Sequence, residues 1–288
     1  MKHSLYKRLF GDDVEISWCP GCGDFVILDV LKDVLVDLDL MPHDVVIGSG
    51  IGQAAKLPHY LNVNAFNGLH GRAVPPMLGV QIANKNLKIF ISSGDGDSYG
   101  SGGNHLIHNM RRNIDVVHMV HNNMVYGLTK GQASPTTSRN QKTTMQPNGV
   151  YLEPYNPIAM AIASGATFVA RAFSGNRDHL YKVLMAAAHH KGYAIVDIFQ
   201  PCVSFNKVNT NKWYRDHTYV LGNEHNPYDK IQAFALSQQT EDNIPLGIIY
   251  KEDRPTFVES IPVLNNEHPL CKRFWSPDMA ETFLDDFR

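Results

Sequence analysis

Apolar side chains recur at helical spacing over residues 24–38 (DFVILDVLKDVLVDL), and the run Val45-Val46-Ile47 then stops at Gly48-Ser49-Gly50. The pattern predicts a helix followed by a short buried strand. Residues 72–84 read as a helix despite Pro75-Pro76, because proline is tolerated in a first helical turn. Residues 87–93 (LKIFISS) read as a strand, 105–112 as a helix and 114–121 (IDVVHMVH) as the next strand. A polar stretch over 127–149 interrupts the rhythm, which resumes with helix 157–164, strand 167–173, helix 177–191 and strand 193–199. Near-continuous apolar strands alternating with helices predict an α/β fold, a mostly parallel sheet with helices on both faces. Beyond residue 200 the rhythm fades into loops near 206–212, one helix near 228–238 and a proline-containing tail. Residues 1–210 are therefore expected to form one cofactor-sized domain, and 211–288 an irregular C-terminal extension packed on it or on a partner subunit.

Composition narrows the class. With 43% hydrophobic and 19% charged residues among 288, the chain can build a core and is not a disordered one. Lys+Arg number 26 against 28 Asp+Glu, so no basic excess calls for nucleic acid or an anionic membrane. No stretch of 18 uninterrupted apolar residues occurs, and the opening residues 1–18 lack a signal-peptide core, so the expected location is cytoplasmic. Four cysteines, Cys19, Cys22, Cys202 and Cys271, are too few for a disulfide scaffold, and the C-x-x-C of the first two points to metal or redox chemistry.

The strongest local signal is Gly94-Asp95-Gly96-Asp97 at the end of one strand, with Asn122-Asn123 at the end of the next, 28 residues from Asp95 to Asn123. Both fall at carboxyl ends of strands, where open α/β sheets bind ligands. Asp95 and Asn123 supply hard oxygens of the kind Mg²⁺ takes alongside phosphate, and the flanking glycines let a phosphate approach the backbone. Alone, G-D-G would read as a turn and N-N as a strand-end cap; the spacing favours a magnesium diphosphate site. The glycines of Gly48-Ser49-Gly50-Ile51-Gly52 do not fall at G-x-G-x-x-G spacing, which excludes a dinucleotide fingerprint.

G-D-G followed about thirty residues later by N-N resembles the signature of thiamine diphosphate enzymes. A closer resemblance spans residues 15–210: W-C-P-G-C-G at 18–23, G-I-G at 50–52, H-G-R at 70–72, G-D-G-D at 94–97, G-G-N-H at 102–105, R-R-N at 111–113, N-N-x-x-Y-G-L-T-x-G-Q at 122–132, S-P-T at 134–136 and Q-P-C at 200–202. These motifs resemble the beta subunit of 2-oxoacid:ferredoxin oxidoreductases, most closely the 2-oxoglutarate type. The resemblance implies thiamine diphosphate with Mg²⁺ on Asp95, Asn123 and the Val125 carbonyl, and cofactor contacts from Cys22, Gly23, Gly52, His70, Gly94, Gly96, Asp97, Gly127, Leu128 and Thr129. It implies a [4Fe-4S] cluster on Cys19, Cys22 and Cys202, with coenzyme A as co-substrate and ferredoxin as electron acceptor.

Cys19-Pro20-Gly21-Cys22 also reads as a zinc knuckle, although the second C-x-x-C of a zinc ribbon is absent from the sequence. Where the family has a further cluster cysteine after G-I-G, this chain has Gln53; the fourth iron must then take another donor, recruit Cys271, or be missing. Lys56 falls where family members carry a basic residue facing substrate, an ammonium suited to a distal carboxylate, and His70 and Arg72 are candidates for the substrate carboxylate. Asn206 and Thr129 are either phosphate contacts or loop caps. The glutamate that activates the cofactor in this class sits on a pyrimidine-binding domain that this chain does not carry, so a larger alpha subunit is implied, in a heterotetramer of two copies of each. Two other functions stay open: a non-redox thiamine diphosphate decarboxylase or synthase subunit, and a catalytically silent metal-binding assembly subunit.

Overall fold

The computed structural model describes residues 14–274, 276, 277, 284, 285 and 287; the opening residues read for a leader lie largely outside these. Among the described residues, eight strands form one sheet in the order β2-β1-β3-β4-β8-β7-β10-β9. They are β1 (Val45–Ser49), β2 (Asn64–Asn67), β3 (Lys88–Gly94), β4 (Val116–Asn122), β7 (Phe168–Phe173), β8 (Tyr193–Phe199), β9 (Thr218–Val220) and β10 (Ile244–Lys251), while β5 (Val125–Tyr126) and β6 (Gln132–Ala133) make a separate hairpin. Every pairing from β2 to β7 is parallel, β10 pairs antiparallel with β7, and β9 pairs parallel with β10.

Alternation along the strands divides the core between the two faces. Phe90, Val117, Met119, Val196 and Ile198 meet helices α1 (Asp24–Asp37) and α5 (Arg177–His189) through Ile27, Leu31, Leu35, Leu180 and Leu184. On the other face Ile89, Ile91, Val116, Val120 and Ile195 meet α2 (Val74–Ala83), α3 (Gly103–Arg112) and α4 (Pro157–Ala163) through Met77, Leu106, Met110, Ile158 and Ile162. The expected α/β sheet covered on both faces is the observed one.

Beyond residue 210 the chain is more regular than its fading rhythm suggests. It forms α6 (Asn211–His217), β9, α7 (Lys230–Ser237) and β10, and β10 joins the main sheet beside β7. The run IPLGIIYK did not stand out as a strand because Pro245 and Gly247 break it; Gly247 adopts φ +138°, and the register slips between Ile248 and Tyr250. Such bulges accommodate residues that a regular ladder rejects.

Asn113, in the R-R-N motif, is a keystone of the fold. It ends α3 in the left-handed region (φ 56°), accepts Tyr193 N–H at 2.8 Å and the Thr167 hydroxyl at 2.7 Å, and donates to the carbonyls of Arg254 and Pro255 at 3.1 Å each. Asparagine tolerates that backbone better than most residues. Asn113→Ala leaves these buried groups unmatched at about 1–3 kcal/mol and is expected to lower Tm by about 5 °C or more in a thermal melt; an unchanged Tm would show that the C-terminal segment does not depend on this side chain.

Candidate active site

The parallel strands deliver the chemistry to one edge of the sheet. Ile51 to Ala54 follow β1, Asp95 follows β3, Asn123 follows β4 and Gln200 follows β8, so four carboxyl ends converge. A cleft opens there. Its walls include Gly52, His70, Gly94, Asp95, Gly96 and Asp97 on one side, and Asn123, Val125, Gly127, Leu128 and Thr129 on the other. Thus eleven of the residues expected at the cofactor share one cavity.

Asp95 starts a π-helical turn, Gly96–Ser101, and is 1% exposed. Burial pushes its carboxyl up to about 6, against hydrogen bonds from Ser134 and Thr136 that favour the anion. The Thr136 hydroxyl lies 2.6 Å from Asp95 Oδ2, which fixes one carboxylate oxygen. Asn123 closes a tight turn in which its Oδ1 accepts Val125 N–H at 3.1 Å and Met124 sits at φ 59°, a costly conformation for methionine. The Thr137 hydroxyl on the Met124 carbonyl at 2.6 Å holds that turn. Gly96 is dictated by contact, since a Cβ there would meet the Tyr126 ring at 2.1 Å, whereas a Cβ on Gly52 (φ +131°) would meet nothing within 4 Å. Asp97 staples two loops: its Oδ1 accepts Gly71 N–H at 2.7 Å and Ile51 N–H at 3.3 Å, with His70 Nδ1 3.7 Å away. Burial raises its pKa too, and its Oδ2 is buried without a partner among the described residues.

A second cleft of about 370 Å³ shares Gln53, Asn123 and Gly127 with the first, and Cys19, Cys22 and Cys202 all line it. Ser204 Oγ donates to Cys19 Sγ at 3.1 Å, and Gln200 Nε2 donates to Cys22 Sγ at 3.2 Å. Burial, with the Asp24 carboxylate beside it, pushes the Cys22 thiol well up, so its anion needs a cation. Beneath the cysteine loop lies a buried chain: Asp24 Oδ1 to His121 Nδ1 at 2.7 Å, His121 Nε2 to Ser92 Oγ at 3.1 Å, and Ser92 Oγ donating to the Ala54 carbonyl at 2.9 Å. Its residue types match a hydrolase triad, but none is more than 1% exposed and the serine proton is committed, so it is a brace.

Some expected residues stand elsewhere. Lys56 does not line the diphosphate cleft; its Nζ donates to Ser17 Oγ at 3.2 Å, beside the cysteine loop. Arg72 is exposed and its Nη1 donates to the Gly71 carbonyl. Gly23 precedes α1 against Ser174 and Gln200. Asn206 donates to the Asn123 carbonyl at 3.1 Å and so braces the turn from behind, while the Thr129 hydroxyl donates to Gln132. Three groups escaped the sequence: Thr136, Gln200 and the Asp24–His121 pair. Only S-P-T and Q-P-C hinted at the first two.

The oxygen set of Asp95, Asn123 and Val125 suits Mg²⁺ bound to phosphate, and three cysteines on one cleft suit an iron–sulfur cluster. Among the described residues no three His, Cys, Asp or Glu side chains converge on a single ion. Neither arrangement requires that, because a carbonyl and an amide complete the first and the thiolates of a cubane bind different irons.

Comparison with known proteins agrees with this geometry. Residues 48–198 match the thiamine pyrophosphate enzyme C-terminal TPP binding domain, and 202–266 match the C-terminal region of the pyruvate ferredoxin oxidoreductase beta subunit. The beta subunit of 2-oxoacid:ferredoxin oxidoreductase 1 from Aeropyrum pernix is 43% identical over 90% of this chain and 85% of that protein. The chain belongs to the family of 2-oxoacid:ferredoxin oxidoreductase beta subunits. The 2-oxoglutarate oxidoreductase subunit KorB of Mycobacterium tuberculosis is 45% identical over 68% of this chain and 53% of that protein. A solved 2-oxoglutarate:ferredoxin oxidoreductase from Magnetococcus marinus, with 2-oxoglutarate, coenzyme A and succinyl-CoA bound, superposes with TM-score 0.90 at 31% identity, over 99% of this beta subunit and 96% of that chain.

Asp95→Ala and Asn123→Ala are each expected to abolish Mg²⁺-dependent thiamine diphosphate binding in calorimetry; wild-type affinity would remove them from the metal site. Because the raised Asp95 pKa means that a proton must leave before a cation binds, Mg²⁺ affinity should fall about tenfold for each pH unit below about 6. A flat profile between about pH 5 and 7 would contradict that role.

Proposed function

We propose that this beta subunit, with a larger alpha subunit, carries out the thiamine diphosphate-dependent, coenzyme A-linked oxidative decarboxylation of a 2-oxoacid, 2-oxoglutarate above all, or the reverse carboxylation. Electrons leave through an iron–sulfur cluster on Cys19, Cys22 and Cys202 to ferredoxin. The observation that carries this reading is the common wall: Gln53, Asn123 and Gly127 face the diphosphate cleft on one side and the cysteines on the other. A non-redox decarboxylase has no use for three thiols there. The names of the relatives favour 2-oxoglutarate.

The bound cofactor would supply the electron sink that decarboxylation requires. The chain's own groups then have definite tasks. Asp95, Asn123 and the Val125 carbonyl would hold Mg²⁺, with Thr136 keeping Asp95 and Asn206 keeping Asn123 in place. Asp97 fixes the His70 loop, so that the imidazole borders the cleft, where it can donate to a substrate carboxylate. Exposed Ile51 and Leu128 at the mouth, and Leu69 next to His70, form an apolar rim suited to a covering subunit that excludes water. We read the assembly as a heterotetramer working in the cytoplasm; among the described residues no helix is long and apolar enough to cross a membrane.

Purified alone, the chain is expected to turn over no 2-oxoacid. Anaerobic co-purification with the larger subunit should yield a brown complex that reduces ferredoxin with 2-oxoglutarate and coenzyme A, and with pyruvate poorly. Turnover by the isolated chain would refute the need for a partner, and a colourless active complex would refute the redox reading.

A further inference from the structure

The residues of the cysteine cleft carry three thiols and one amide oxygen that has no hydrogen-bond partner among the described residues. Gln53 lines the cleft with Cys19, Cys22 and Cys202, and its Oε1 is buried with no hydrogen-bond partner among the described residues. A buried amide oxygen left so is a cost to the fold, which calls for a reason. The backbone holds it there from both sides. The Gln53 carbonyl accepts the indole N–H of Trp18 at 2.9 Å, next to Cys19, and the following carbonyl, of Ala54, accepts Ser92 Oγ at 2.9 Å. Ser92 in turn rests on the His121–Asp24 brace under the cysteine loop. Gln53 is thus fixed to the same scaffold as Cys22, and its amide oxygen is left without a donor.

A four-iron cubane presents four corners, and three thiolates leave one open. Cys271 is exposed in the short turn Leu270–Lys272 and does not line this cleft. We propose that the amide oxygen of Gln53 is the fourth ligand, so that the cleft takes a [4Fe-4S] cluster on Cys19, Cys22, Cys202 and Gln53 Oε1. The proposal rests on the iron–sulfur reading given above. A neutral oxygen in place of a thiolate removes one negative charge and donates less to iron. The cluster therefore has a higher reduction potential than one with four thiolates, and its Gln53-bound iron is exchangeable. Under a one-electron oxidant such as ferricyanide, [4Fe-4S]²⁺ gives up one electron to the oxidant and one Fe²⁺ to solution, leaving [3Fe-4S]⁺.

The test uses the full chain in complex with its larger subunit, prepared anaerobically, and reads iron and sulfide per chain, the EPR spectrum after ferricyanide, and the cluster potential. Wild type should hold four irons, lose one on oxidation with a three-iron EPR signal, and regain it with Fe²⁺ and a thiol. Gln53→Cys should keep all four through oxidation and be at least tenfold harder to reduce, about 59 mV lower for a one-electron couple. Gln53→Ala should be isolated with three irons, and Cys271→Ser should match wild type. Wild type that keeps four irons under ferricyanide overturns the proposal without recourse to any variant. Four irons at wild-type potential in Gln53→Ala, unchanged behaviour in Gln53→Cys, or iron loss in Cys271→Ser does so as well. A wild-type complex with no visible absorption refutes the iron–sulfur reading itself, an outcome separable from failure at the fourth corner alone.

Discussion

Two hydrogen bonds from one carboxamide join the halves of this site. Gln200, 1% exposed, accepts Asn123 Nδ2 on its Oε1 at 3.2 Å and donates from its Nε2 to Cys22 Sγ at 3.2 Å. Polarity runs one way along this chain. The Gln200 nitrogen faces Cys22 and its oxygen faces Asn123, whose own Oδ1 accepts Val125 N–H. The orientation of the Asn123 amide is thereby tied through Gln200 to Cys22 in the neighbouring cleft, and a bridge of this kind rigidifies only when every member is satisfied.

The sheet makes the bridge possible. Parallel pairing of β3, β4 and β8 brings Asp95, Asn123 and Gln200 to one edge although they lie more than a hundred residues apart from end to end. The cysteine loop at the start of α1 reaches that edge through Asp24 on His121, a residue of β4 itself. Both clefts therefore depend on the same strand, and a shift in β4 would disturb the two together.

Much of this was legible in the sequence because it rests on local rules. Strands such as LKIFISS and helices such as 24–38 announce themselves by period, and Asp95 and Asn123 by their place at strand ends. What escaped has a physical reason. β10 hides behind Pro245 and Gly247, whose cost the bulge absorbs. Thr136 and Gln200 act through contacts across 41 and 77 residues, which no local pattern encodes. Lys56, expected to face substrate from its position after G-I-G, lies on the short helix Ala54–Tyr60 with its ammonium on Ser17, a contact across 39 residues that no local pattern encodes. The oxygen of Gln53 could be recognised as unpartnered only once its surroundings were known.

The central claim is that the metal–diphosphate site and the cysteine cleft are one connected device. On the proposed function, a cation on Asn123 Oδ1 would polarise its amide, strengthen its donation to Gln200, and so strengthen the N–H···S bond that would stabilise a reduced cluster. By linkage, cofactor affinity and cluster potential must shift together. The most direct measurement is a redox titration of the cluster in the assembled complex, with and without saturating Mg²⁺ and thiamine diphosphate. The bridge predicts a higher potential when the cofactor is bound; superimposable titrations would contradict it.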